Sequence, residues 1–353
     1  MKKQFKFLAF TLFFGLLITS CSNDDDNSSI PQEPLGDYEN GILVSAEGGP
    51  SSVSYISNDF STVENNIYAN VNTEELGVYL QSIGFDGNQA YIISDNVNTI
   101  NVVNRYTFAK ETAITTGLYT PRYIGFANGK GYVSNWGSGS DAIDDFIAVI
   151  DLSTNTVEST IPVGEGPEQI ISNNGKIYVS HKGGWSFNNI ITVIDTNTNL
   201  TTTITVNDVP DEMFINNSGE LVVLCEGKPG WSGSETNATI SKIDVTTNTV
   251  TETLNFAAGV HPSQMSSENG EIYYQANNEV FVMSETSSSL PTASIVNLGT
   301  INTYGMAVKG DKLYVTDAKD FASLGDLNVY DLTTNTLENT FTVGVNASKI
   351  YFN

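Results

Sequence analysis

The chain of 353 residues contains three tryptophans, and they fall in three similar settings. Trp136 follows Asn135 and opens the run Gly137-Ser138-Gly139-Ser140. Trp185 sits in Gly183-Gly184-Trp185-Ser186-Phe187, and Trp231 in Lys228-Pro229-Gly230-Trp231-Ser232-Gly233. Indoles on glycine-flanked segments present rigid apolar area at low entropic cost, which is the chemistry of recognition. A packed-core tryptophan would instead recur on the strands, beside Tyr132 and Tyr178. Phe187 extends the same apolar surface, and Tyr79 and Tyr119 are weaker members of the set. Asn135, Ser186 and Asn188 supply polar atoms that can hydrogen-bond the rim of a ligand lying on it. Phe146, Tyr304 and Phe321 are expected on the same face.

Other chemistries are poorly represented. With two histidines, neither a His-rich metal site nor most His-based catalysis is expected, and a lone loop residue such as His181 reads as incidental. No Ser-His-Asp constellation, phosphate loop or Cys/His ligand set is present. Asp141, Asp144 and Asp145 match no calcium-loop spacing and read as a solvated charge run. Carboxylates assembled from separate loops remain open as an enzyme's equipment, with Glu47, Glu165, Glu168, Asp211 and Glu212 as candidates. The expectation is a binding protein rather than an enzyme, with no covalently bound cofactor and no protein-bound metal. A protein-interaction or adhesion module is the alternative, and a lyase or lactonase comes third.

The first twenty residues are different in kind. Lys2, Lys3 and Lys6 precede an apolar run from Phe7 to Ile18, which is too short to span a membrane and suits a signal peptide. The run ends in Leu17-Ile18-Thr19-Ser20-Cys21, which resembles a bacterial lipobox with Cys21 as the lipidated residue. Ser22-Asn23-Asp24-Asp25-Asp26 begins an acidic, core-poor tether over residues 21–36. The chain is therefore expected to be lipid-anchored rather than membrane-spanning. Loss of the three leader lysines takes the formal charge from −25 to −28, which excludes electrostatic binding of nucleic acid. Of the two cysteines only Cys225 remains, in the apolar run after Leu221, and it reads as a buried inert thiol.

What must position the tryptophans is a repeat. Asn128-Gly129-Lys130-Gly131-Tyr132-Val133-Ser134 returns as Asn174-Gly175-Lys176-Ile177-Tyr178-Val179-Ser180, with degenerate copies beginning near residues 40, 87, 218, 269 and 310. Seven copies spaced by roughly forty to fifty residues fit four-stranded blades. Strands ending at Asp151, Asp195, Asp244 and Asp331 are each followed four residues later by an Asn: Asn155, Asn199, Asn248 and Asn335. This is hairpin-turn chemistry and not catalysis. The first unit lacks an innermost strand, and residues 347–353 have that strand's pattern with nothing after them. Residues 37–353 are thus expected to form one all-β, seven-bladed β-propeller closed by the C-terminal strand pairing into the first blade.

The phrase Tyr-Val-Ser followed by Val-Ile-Asp and Thr-Asn-Thr resembles the YVTN family of bacterial propellers. Ser45-Ala46-Glu47-Gly48-Gly49, Leu76 to Ile83 and Thr120-Pro121-Arg122-Tyr123-Ile124 are similar to the Bacteroidota surface lipoproteins that include the BtuG-type vitamin B12-capturing propellers. The resemblance implies the outer membrane and cell surface as location, the acidic run behind Cys21 as an export signal, and a corrinoid (vitamin B12) as ligand. It also implies a TonB-dependent outer-membrane transporter as partner.

Overall fold

Each blade is a small sheet with both faces buried, and the strand Lys130–Asn135 shows why. Successive side chains point to opposite faces. Tyr132 packs with Ile170 and Ile177 of the following blade, while Val133 packs with Tyr91 and Ile93 of the preceding one. The computed structural model describes residues 33–353; Cys21 and the acidic run behind it lie outside the described residues. Leu35–Asn353 forms one compact unit.

Seven four-stranded antiparallel sheets follow one another around a central axis. The innermost strands of blades 2 to 7 are Leu80–Asp86, Pro121–Ala127, Pro167–Asn173, Pro210–Ile215, Gln264–Glu268 and Thr303–Lys309. Blade 1 takes its innermost strand, Ala347–Phe352, from the far end of the chain. Ile42 pairs with Phe352 and Val44 with Ile350, and the Ser45 and Ser348 hydroxyls meet at 2.9 Å. The expected closure is therefore what is observed. Tyr351 also accepts a hydrogen bond from the Ile83 amide, tying the closing strand to blade 2.

The turns behave as their sequences require. Asn155, Asn199, Asn248 and Asn335 all have φ between 52° and 58°, the left-handed region that Asn tolerates. Asp151, Asp195, Asp244 and Asp331 each accept the backbone N–H two residues on, at 2.7 to 2.9 Å. A six-residue helix, Ile67–Asn72, is inserted before blade 2. Among the described residues no helix is long and apolar enough to cross a membrane.

Candidate ligand-binding site

The loops after the second strands of blades 3, 4 and 5 carry the tryptophans, and all three indoles line one cavity of about 420 Å³ with Phe187 and Ser186. Trp185 is 75% exposed and Trp231 82%. The rings form two pairs. Trp136 and Trp185 meet edge to face at 6.3 Å between centroids, and Phe187 and Trp231 lie 5.8 Å apart at 47°. Trp136 is held furthest down. Its Nε1 donates to the Pro167 carbonyl at 2.9 Å, and the Arg122 guanidinium lies 3.8 Å above its ring, a cation–π contact.

Glycine is required where the loops touch. A Cβ on Gly139 would come within 2.4 Å of the Trp185 indole nitrogen, and one on Gly166, at φ +63°, within 2.1 Å of the Gly184 amide. Gly139 sets the approach of the Trp136 loop to Trp185, and Gly166 that of the connection between blades 3 and 4 to the Trp185 loop. A second cavity, of about 230 Å³, shares Trp136 and Trp185 with the first and lies beside Asp141, Asp145 and Glu165.

The other expected residues divide. Asn135 does not face a ligand: it is fully buried, accepts the Tyr119 amide and donates to the Val133 carbonyl, each at 2.9 Å. It braces the loop behind the indoles, because a polar strand end next to unpaired loop amides satisfies them first. Asn188 similarly donates to the Glu165 carbonyl and accepts the Asn189 amide. Ser186 lines the cavity. Tyr79 and Tyr119 are about half exposed but do not line it. His181 is buried, with Nδ1 on the Glu165 carbonyl and Nε2 on Thr192, and burial pushes its pKa down to about 4. It is therefore a neutral structural group. Asp145 is not solvated as expected. It is buried, accepts the Gly166 amide, and is pushed up by burial to about 6. Cys225 is buried, and burial raises its thiol to about 12.

The floor of the cavity is ionic. Arg122, Glu168, Lys182 and Glu226 line it, and the same four continue into a cavity of about 200 Å³ at the mouth of the central channel with Glu47, Asp211, Tyr304 and Lys349. Arg122 makes a two-pronged contact with Glu168 (3.1 and 2.9 Å) and reaches Asp95 at 3.1 Å. Lys182 bridges Asp211 (2.6 Å) and Glu226 (2.9 Å), while Lys349 reaches Glu212 at 3.0 Å. Burial works against the charge of Lys182, but Asp211 and Glu226 outweigh it and hold the ammonium well above its ordinary range. Burial pushes Glu226 up to about 7 against the pull of Lys182, and Glu47 up to about 7 against that of Arg122. Asp95 is raised by burial to about 6. Among the described residues no group of three or more His, Cys, Asp or Glu side chains is placed to hold a metal ion.

Of these, Arg122, Lys182, Glu226, Asp95 and Lys349 escaped the reading of sequence. A signal exists for Asp95, Lys182 and Glu226. It is the first residue past the second strand, which in blades 1 to 5 is Glu47, Asp95, Trp136, Lys182 and Glu226; three of these, Glu47, Lys182 and Glu226, line the channel mouth.

The fold and cavity together define a seven-bladed propeller with an aromatic pocket on one face. Over residues 40–308 the chain matches the family described as "Domain of unknown function (DUF5074)", and it belongs to that family. No curated protein matches it. Solved structures share the fold. Kuenenia stuttgartiensis hydrazine synthase aligns at 20% identity and a TM-score of 0.60, over 76% of this chain and 88% of that one. The computationally designed Ika8 protein aligns at 12% identity and 0.58, over 91% and 92%. Dihydro-heme d1 dehydrogenase NirN in complex with DHE aligns at 12% identity and 0.56, over 92% and 78%. At these identities the likeness concerns the fold alone.

Proposed function

We propose that this propeller is a binding protein that captures a large, flat, amphiphilic ligand on its Trp-bearing loops, outside the cell, and passes it to an outer-membrane transporter. The observation that carries this reading is the convergence of all three tryptophans and Phe187 on one cavity with a polar, ionic floor. A volume of about 420 Å³ suits a small-molecule site: apolar walls and a few fixed polar groups. A corrinoid is the first ligand to test, on the resemblance to the surface B12-capturing lipoproteins. Its broad corrin face would lie across the indoles, with its rim amides reaching the floor. The lipid anchor at Cys21, the cell-surface location and a TonB-dependent transporter as partner belong to the same proposal.

Calorimetric titration of cyanocobalamin into the full chain tests it, with Trp136→Ala, Trp185→Ala and Trp231→Ala run in parallel. Binding that weakens about tenfold or more in these variants supports the reading, since losing one aromatic anchor costs about 2 kcal/mol. Absence of binding to the folded parent removes the corrinoid. Binding indifferent to all three substitutions removes the aromatic cavity as its site. Cys21→Ala should release the protein from membranes, and a variant that stays membrane-bound contradicts the anchor.

A further inference from the structure

We infer that the channel mouth beneath the indoles recognises a cationic, hydrogen-bond-donating head group on the ligand and rejects an anionic one. The inference rests on the aromatic cavity being a ligand site, and it names the class of ligand that cavity takes.

The charges around the mouth do not balance. Glu47, Asp95, Glu168, Asp211, Glu212 and Glu226 face only Arg122, Lys182 and Lys349. Each cation already lies against carboxylate: Arg122 between Asp95 and Glu168, Lys182 between Asp211 and Glu226, and Lys349 on Glu212. Glu47 is left with no direct cation, its one side-chain partner being the Tyr304 hydroxyl at 3.3 Å.

A second observation is independent of this count. Asp211 is 6% exposed and lines the channel-mouth cavity, yet its Oδ1 has no hydrogen-bond partner. A buried carboxylate oxygen without a donor costs free energy that an entering N–H group would recover. The Glu226 carboxyl adjoins Asp211 and is pushed up by burial; protonated it can donate to Asp211, and ionised it leaves that oxygen open to an entering N–H group. Above the mouth, the wall of Trp136, Trp185, Phe187 and Trp231 suits an apolar body. The guanidinium of Arg122 on Trp136 shows that this wall accepts a cation at van der Waals distance. The fit is an apolar or aromatic body on the indoles with an ammonium or amide head among the carboxylates.

A proton linkage follows. Glu226 faces Lys182 and Asp211, and Glu47 faces Arg122, Lys349, Asp95 and Tyr304. A bound cation stabilises the ionised form of both, so binding expels a proton from a group titrating near 7 and must tighten as pH rises through that value.

The test uses two probes with one bicyclic body and opposite charge, naphthylethylamine and naphthylpropanoate, titrated calorimetrically into the full chain at pH 6 and pH 8. The amine should bind at least about tenfold more tightly than the acid, and about tenfold more tightly at pH 8 than at pH 6 for one proton released. Glu47→Gln, which breaks no ion pair, should reduce both preferences in a folded protein; Asp211→Asn, checked for an unchanged unfolding transition, should do the same. Acid binding as tight as amine binding, amine binding independent of pH, or no binding of either probe overturns the inference. Trp185→Ala separates it from the reading it rests on. If this variant weakens both probes while the acid binds as well as the amine, the aromatic cavity survives and the head-group preference falls. If the amine preference persists and Trp185→Ala changes nothing, the preference stands and the aromatic wall falls.

Discussion

The acidic side chains at the two ends of the blades sit in opposite environments. At the turn end, Asp151, Asp195, Asp244 and Asp331 are solvent-facing, accept backbone amides and are held below the ordinary carboxyl range, first by the Ser153 hydroxyl at Asp151, the Asn197 and Thr246 amides at Asp195 and Asp244, and the Lys312 ammonium at Asp331. At the loop end, Glu47, Asp95 and Glu226 are drawn towards the channel and pushed up by burial. The turn aspartates recur at one repeat position and do one job, which is to set a hairpin. The loop-end groups also share a repeat position, but it changes type from blade to blade: Glu47, Asp95, Trp136, Lys182, Glu226. Uniformity at a repeat position marks the frame, and variation at a repeat position marks a site grafted onto it.

The largest way to break this contrast is to open the frame. Deleting residues 347–353 removes the innermost strand of blade 1 and exposes its edge, and it should abolish the cooperative thermal transition. A truncated chain melting at the parent temperature contradicts the closure account. Arg122→Ala comes next. It leaves Glu168 and Asp95 without their cation and unsupports Trp136, and should cost about 3–5 kcal/mol in denaturant unfolding. Trp185→Ala and Trp231→Ala should do the reverse, altering stability by no more than about 0.5 kcal/mol because both rings are exposed, while lowering ligand affinity.

The pH profile sharpens the comparison by sign. The folded-state values of Glu47, Asp95 and Glu226 lie above those of the unfolded chain. Their contribution is full below about pH 4 and lost as pH rises through about 6 to 7. The turn aspartates are shifted down, so their contribution is present at neutral pH and lost as pH falls below the ordinary carboxyl range. Melting temperature should therefore decline between pH 5 and pH 8, and Glu47→Gln should flatten that decline. Asp195→Ala should leave it unchanged and flatten the loss at low pH.

Much of the frame was legible in the sequence because each blade must bury both faces of short strands, which forces the phrase around Tyr132 and Tyr178 to recur. Ring closure was legible from one missing strand at the start and one surplus strand at the end. The aromatic part of the site stood out because tryptophan is rare here and falls only in glycine-rich loops. The ionic part was hidden: Arg122, Lys182 and Glu226 are ordinary surface types in an acidic chain, and only the axis of the propeller brings them together. Asn135 was misassigned for a related reason. Adjacency to Trp136 in sequence does not carry over in space, because the last residue of a strand turns inward to hold the loop that its neighbour decorates.

The central claim is that the varied loop-end positions enclose a ligand site, and the tryptophans themselves can report on it. Every indole of the chain lines that cavity, so a ligand held there must shield all of them. The direct measurement is acrylamide quenching of tryptophan emission lifetimes with and without saturating cyanocobalamin, at a concentration where calorimetry shows binding. The account predicts a clear fall in the quenching slope, dominated by the exposed Trp185 and Trp231. Calorimetric binding with an unchanged quenching slope would contradict it.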